Sequence, residues 1–281
     1  MNKKNHLNSM NKENKVSQKY ILDLSGKFLF MRHGQSFFNR LTEESRRYNP
    51  ELCDAHLSEE GINQVISKQK SIKHLLLEKI YVSPYYRAIQ TATLALQKYD
   101  NKNNITVVVH PKLGEKVCSI HDFMIDIKQT KKDFNLNSKI KVDWSLFDNY
   151  VNESNYDENF FFFDNIDLLN NEEKEEEYLK LKNLYDKGDM AEYKNELGKF
   201  LKEKYNNGFE SYKHVYERFN EFVKFLKNKF NDTINDKNKK ILCVTHSALI
   251  NIGTSSKPII NNEKPDNIYK IKNAEIISLI I

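Results

Sequence analysis

Two apolar runs at opposite ends of the chain, KFLFMRH (27–33) and KKILCVTH (239–246), each stop abruptly at a histidine. A short apolar run rich in aromatic and aliphatic residues suits a strand covered on both faces, and such strands belong to parallel sheets flanked by helices. The intervening chain fits that frame. SEEGINQVISKQKSIKHLLL (58–77) opens with Ser58 as a cap and two acids in its first turn, then sets Ile62, Val65, Ile66, Ile72, Leu75 and Leu76 at helical spacing. KIYVS (79–83) reads as a strand, PYYRAIQTATLALQKY (84–99) as a helix with Pro84 at its first position, and ITVVVH (105–110) as a β-branched strand. The βαβαβ order predicts a three-layer α/β/α sandwich with a mostly parallel sheet.

Beyond Pro111 the regularity stops, and residues 112–205 are expected to be a largely helical insertion. It holds the irregular stretches VDWSLFD and NFFFFDN, the second suited to core packing or to an interface between copies, and a Glu/Lys-rich helix or helix pair over 171–205. ESYKHVYERFNEFVKFLKNKF (210–230) carries Tyr212, Val215, Phe219, Phe222, Val223, Phe225 and Leu226 on one broad face, so this helix should pack on the sheet. AEIISLII closes the chain as one more strand. The expected organisation is a single domain over 25–281 behind a polar, disordered tail over 1–24.

Composition excludes several functions. The net charge of +5 is spread among nearly as many acids as bases, which argues against a nucleic-acid partner. No segment is apolar enough to span a bilayer and the first residues lack the apolar core of a signal peptide, so no membrane partner and a cytoplasmic location are expected. Cys53, Cys118 and Cys243 are too far apart for a disulfide framework or a zinc site, and Cys118 with His121 lacks two further ligands.

Active sites of parallel sheets lie beyond the carboxyl ends of the strands, which is where His33, His246 and Ser83 fall, with Arg87 one turn into the next helix. Phosphoryl transfer without a metal needs a nucleophile, fixed positive charge around the equatorial oxygens and an acid for the leaving group. A neutral imidazole supplies the first and arginine forks the second, so His33 is the candidate nucleophile beside Arg32, Arg87 and His246. Gly34 would let the backbone approach the phosphate.

RHGQSFFN (32–39), LSEEG (57–61), SPYYRAIQTA (83–92) and VTHSALI (244–250), in this order, resemble the histidine phosphatase superfamily, also called phosphoglycerate mutase-like, over about residues 27–281. The resemblance implies a phosphohistidine on His33, a phosphate pocket of Arg32, Arg87 and His246, contact of Asn39 with the transferred group, and Glu115 of PKLGEKV as proton donor. Glu44 and Glu210 are the other candidates for that donor, and Glu210 with Ser211 matches a structural ES pair. Ser247, where many relatives have Gly, joins the substrate-binding set. No metal or cofactor is implied. The expected partner is a small phosphorylated substrate, with a phosphoprotein as the alternative, for which Lys112, Lys116, Lys128, Lys131 and Lys132 are candidate readers of extra charge. A homo-oligomer stays open.

Glycolytic mutases of this superfamily carry an ERHYG segment and a nearby Lys after the third strand, whereas this chain reads LGEKVCSIHDFMIDIKQTKKDFN (113–135), closer to the eukaryotic phosphomutase-like branch. The expected activity is therefore metal-independent phosphomonoester hydrolysis. A 2,3-bisphosphoglycerate-dependent phosphoglycerate mutase and a non-catalytic binding or scaffold module of the same fold are the alternatives.

Overall fold

The computed structural model describes residues 20–21, 24–46, 48–100, 105–137, 140–204, 208–266 and 270–279. The strands are β1 (Tyr20–Ile21), β2 (Phe28–Arg32), β3 (Leu76–Val82), β4 (Thr106–Val109), β5 (Lys141–Asp143), β6 (Lys239–Thr245) and β7 (Ile276–Leu279). They form one sheet in the order β1-β7-β2-β6-β3-β4-β5. Neighbours from β2 to β5 run parallel, while β7 is antiparallel to β2 and β1.

Period-two alternation divides the strand residues between two cores. Leu29, Met31, Ile80, Val82, Leu242 and Val244 face one cluster; Phe28, Phe30, Tyr81, Ile241 and Cys243 face the other. Both faces being dry explains why the strands read as unbroken apolar runs.

The helices are α1 (Phe37–Arg40), α2 (Glu43–Arg46), α3 (Glu59–Ile72), α4 (Tyr86–Ala95), α5 (Ile127–Asn137), α6 (Ser145–Glu153), α7 (Asn171–Asp186), α8 (Met190–Lys204), α9 (Tyr212–Lys229) and α10 (Ser247–Gly253). Residues of α3, α4 and α5 pack on the first face, and α9 with α10 on the second. The result is the anticipated three-layer α/β/α sandwich with a mostly parallel sheet. Helices α7 and α8 close a third cluster with Val117, Ile120 and Phe123, beside the carboxyl edge of the sheet.

Several local expectations are corrected. Helix α3 ends at Ile72, and Leu76 and Leu77 open β3, where they pair with Lys239 and Lys240 of β6. Their spacing fits a helix and a strand equally, and the open edge of β6 decides between them. Pro84 precedes the cap Tyr85 rather than starting α4, because the Asp54 carboxylate accepts the first helical N–H, that of Tyr86, at 3.1 Å. Tyr20 and Ile21, placed in a disordered tail from sequence, pair with Leu279 and Ser278; residues 1–19, 22 and 23 lie outside the described residues.

The insertion is not wholly separate from the sandwich either. Within VDWSLFD, β5 adds a parallel strand beside β4, and Phe147 of α6 joins the first core. All four phenylalanines of NFFFFDN are buried, so this run is core and not a surface for a second copy. Among the described residues, no helix is long and apolar enough to cross a membrane.

Candidate active site

Because β2, β6 and β3 are parallel neighbours, their carboxyl ends deliver His33, His246 and Ser83 side by side. The ladder continues one step past the strands: His33 N–H donates to Thr245 O at 2.9 Å and Ser83 N–H to Val244 O at 3.0 Å. The His33 and His246 rings are 5.1 Å apart, centroid to centroid.

His33 Nδ1 lies 2.6 Å from Gly34 O. A carbonyl only accepts, so Nδ1 carries the proton and Nε2 keeps its lone pair. Burial, reinforced by the charges of Arg87 and Arg32, holds this imidazole well below the ordinary histidine pKa, so it is neutral near pH 7. His246 is shifted in the same direction, chiefly by burial, and its Nε2 lies 2.7 Å from Ser83 Oγ.

The two arginines are held by the protein on one side of their forks. Arg32 NH1 donates to Ile271 O at 2.7 Å. Arg87, fully buried, donates from NH1 to His121 O at 2.8 Å and from NH2 to Asp122 Oδ1 at 3.3 Å. Thr91, one turn beyond, accepts the Gly34 N–H at 3.1 Å and donates to Arg87 O at 2.7 Å, which ties the RHG turn to α4. Arg32 Nε, Arg87 Nε and His246 Nδ1 are buried and have no hydrogen-bond partner within the protein. Native proteins rarely leave such groups unpaired, since each costs about 1–3 kcal/mol. The two arginine nitrogens can only donate, while the role of His246 Nδ1 depends on its tautomer.

Glu115 is buried beside them. Its Oε1 accepts from Lys116 N–H at 2.9 Å, and Oε2 lies 3.9 Å from His246 Nδ1. Burial raises its pKa, against the pull of Arg87. The turn that carries it is fixed from behind by Arg218, which donates to Lys112 O, Gly114 O and Glu115 O at 2.9–3.0 Å. Glu210 pairs with Arg218 through both oxygens, at 2.6 and 3.1 Å, and also accepts Val117 N–H. Glu210 is thus a framework residue, as is Ser211, which caps α9 by accepting His214 N–H. The Glu44 side chain lies outside the described residues.

Two further expected residues make hydrogen bonds within their own helices. Asn39 Oδ1 accepts from Ser36 N–H and Oγ–H at 3.1 and 3.0 Å, closing the turn before α1. Ser247, half-buried at the start of α10, accepts from Asn251 Nδ2 at 3.3 Å. A Cβ on Gly34 would meet Gly61 O at 2.6 Å and Val65 Cγ2 at 2.9 Å, so the glycine also admits helix α3.

Asp122, His121 and Asp54 escaped the sequence reading. Asp122 Oδ2 accepts Cys118 and Ser119 N–H at 3.2 and 3.0 Å while Oδ1 faces Arg87, and burial pushes its carboxyl up to about 7. Ser119 and Asp122 form a capping box readable from SIHD, but nothing local announces the arginine. Asp54, also pushed up to about 7 by burial, has a left-handed backbone (φ 40°) and lies 3.8 Å from Arg87 NH1.

Residues 28–136 match the family described as "Histidine phosphatase superfamily (branch 1)". Over these residues the chain is similar to the histidine phosphatase superfamily. The superfamily contains phosphatases and mutases. The chain is 32% identical over 82 residues to the 2,3-bisphosphoglycerate-dependent phosphoglycerate mutase of Chlamydia trachomatis serovar L2, and 29% identical over 82 residues to that of Chlamydia muridarum. Each match covers 29% of this chain and 34% of the relative, so the chain spans about a third of the length of these mutases.

Solved structures with a similar course include "Mycobacterial hydrolase 1" (TM-score 0.47, 16% identity, 89% of this chain and 88% of that one). Phosphoglycerate mutase from Bacillus anthracis str. Sterne gives a TM-score of 0.45 at 14% identity, covering 94% and 91%. The ecdysone phosphate phosphatase from Bombix mori gives 0.46 at 14%, covering 89% and 86%. The matched residues hold Arg32, His33, Arg87, Glu115 and Asp122. The framework pair Glu210–Arg218 and His246 lie beyond them and reach the site through the sheet and α9.

Proposed function

We propose that this chain is a metal-independent phosphomonoesterase that works through a phosphohistidine on His33. The observation that carries the reading is the convergence of three unpartnered buried donors, Arg32 Nε, Arg87 Nε and His246 Nδ1, beside a neutral imidazole whose Nδ1 is already tied to Gly34 O. Lone-pair Nε2 attacks phosphorus, the P–O bond to the leaving group breaks, and the donors follow the charge on the equatorial oxygens. With the Ser83 hydroxyl donating to His246 Nε2, the His246 proton sits on Nδ1, toward the phosphate. Glu115, whose pKa burial raises, is the acid that gives its proton to the departing alkoxide. Water then attacks the phosphohistidine, the Glu115 carboxylate takes a proton from that water, and phosphate leaves with His33 neutral again.

The test is hydrolysis of p-nitrophenyl phosphate with and without EDTA. Turnover that survives chelation and is lost in His33→Ala supports the reading; turnover abolished by EDTA would sink it. A second reading, phosphoglycerate mutase, is favoured by the names of the sequence relatives. Hydrolysis ranks first because the segment after β4, LGEKVCSIHDFMIDIKQTKKDFN, has no ERHYG sequence. Interconversion of 3- and 2-phosphoglycerate at rates far above phosphate release would reverse the order.

A further inference from the structure

Helix α8 lies beyond the residues that match the family, yet it packs on two short turns of the matched stretch. One is Pro50–Leu52, the other Ile120–Asp122, and the two also touch each other. Each leads to a carboxyl group at Arg87: Asp122 Oδ1 lies 3.3 Å from NH2, and Asp54 Oδ1 lies 3.8 Å from NH1. The same Asp54 oxygen accepts the Tyr86 N–H at 3.1 Å, so it holds both the first turn of α4 and the arginine that this turn carries. Asp54 is buried in a left-handed backbone (φ 40°), a sparsely populated conformation that persists only where its neighbours enforce it.

Those neighbours include α8. Leu52 and Cys53 are buried in one apolar cluster with Tyr193, Leu197 and Leu201. Lys194 Nζ reaches Glu51 Oε2 at 3.3 Å on the solvent side of that contact. At Gly198 the helix has no side chain where it meets the turn. A Cβ there would stand 3.4 Å from Tyr48 O and 3.7 Å from Pro50 Cγ, so a single methyl fits, whereas a longer side chain must push the turn aside.

We infer that α8 positions Arg87: seated on Pro50–Leu52 at Gly198, it fixes Asp54, and through Asp54 the arginine fork that binds phosphate. This rests on the phosphomonoesterase reading above. Gly198 and Lys194 are positioning residues; they act through Asp54 and take no part in making or breaking bonds.

Inorganic phosphate, as a competitive inhibitor of p-nitrophenyl phosphate hydrolysis, reads the cradle directly. In Gly198→Leu both phosphate inhibition and kcat/KM should weaken by roughly 10-fold, since a small misplacement of a binding group costs up to about 10². Lys194→Glu sets two carboxylates against each other at the surface, so it should fold even if Gly198→Leu does not. It should weaken phosphate inhibition by roughly two- to fivefold, the scale of one surface charge contact. In an Asp54→Gly background, where glycine keeps the left-handed backbone and the carboxylate is gone, both substitutions should lose most of their effect. If the folded variants keep wild-type phosphate inhibition and only their melting temperatures fall, or if the loss is undiminished in Asp54→Gly, α8 is a structural cover alone and the phosphatase reading stands. If the wild type does not turn over p-nitrophenyl phosphate, both readings fall together.

Discussion

Arg218 donates 3.0 Å to Glu115 O and 2.9 Å to Gly114 O, so the residue that aims the candidate acid stands on α9, more than a hundred positions away in the chain. Its charge is balanced by Glu210, and both side chains are buried. Arg218 touches no reacting atom; it is a positioning residue.

Replacing Arg218 with Met would leave the buried Glu210 carboxylate with the half-buried His214, at 2.9 Å, as its remaining side-chain partner. Breaking such a pair from one side typically costs about 3–5 kcal/mol, and urea unfolding should read a loss of that order. The pH dependence has a definite sign. Glu210 is held below its ordinary pKa of 4.5 by Arg218 and His214 against burial, so the pair stabilises fully above that value and its contribution fades as pH falls below it. A loss in Arg218→Met that is small, or equal at pH 7 and pH 3, would mean that the pair is not desolvated as described.

Glu115→Gln separates proton donation from phosphoryl transfer. Aryl leaving groups such as p-nitrophenolate need little protonation, whereas alkoxides need much. Alkyl phosphates should slow by about 10²–10⁴, the usual worth of a general acid, with a far smaller change on p-nitrophenyl phosphate. Parallel losses on both substrates would assign Glu115 a structural task and leave Asp122 as the next acid to test.

The strand-end histidines and Arg87 were legible because their signals are local: an apolar run that stops at a histidine, and an arginine one turn into the helix after Ser83. Asp122 was not, because its capping box explains it completely until the chain folds and brings Arg87 within 3.3 Å across 35 positions. Leu76 and Leu77 misled for the opposite reason, since two periodicities fit them and only the neighbouring strand β6 selects one. Asn39 spends its side-chain carbonyl oxygen on Ser36, closing the turn before α1.

Asp54→Asn tests whether Arg87 stands between titrating carboxyls. Asparagine tolerates the left-handed backbone at this position and can still accept the Tyr86 N–H, so the turn should survive. Burial raises the Asp54 carboxyl from 3.8 to about 7, so the wild type binds a proton there that the unfolded chain has lost. Its stability relative to the variant should then fall as pH rises from about 4 to about 7, by at most about 4 kcal/mol. Melting temperatures of the two proteins that run parallel from pH 4 to pH 8 would show that Asp54 does not titrate in this window.

Gly61 sets two effects of opposite sign against each other. As the third residue of α3 it should gain from alanine by helix propensity, up to about 1 kcal/mol. A Cβ at this position, however, would lie 1.9 Å from Gln35 O and 2.8 Å from Gln35 N, against backbone that cannot swing aside as a side chain would. Overpacking of this kind costs about 1–3 kcal/mol or more, so the clash wins and Gly61→Ala should be destabilised. Gln35 follows Gly34 and His33 directly, and relief of the clash would push the RHG turn away from α4, stretching the Gly34 N–H to Thr91 bond. Turnover of p-nitrophenyl phosphate should therefore fall together with the melting temperature, well below the midpoint of unfolding. A more stable Gly61→Ala with unchanged turnover would mean that the nucleophile's turn does not rest on α3 in the way its two glycines indicate.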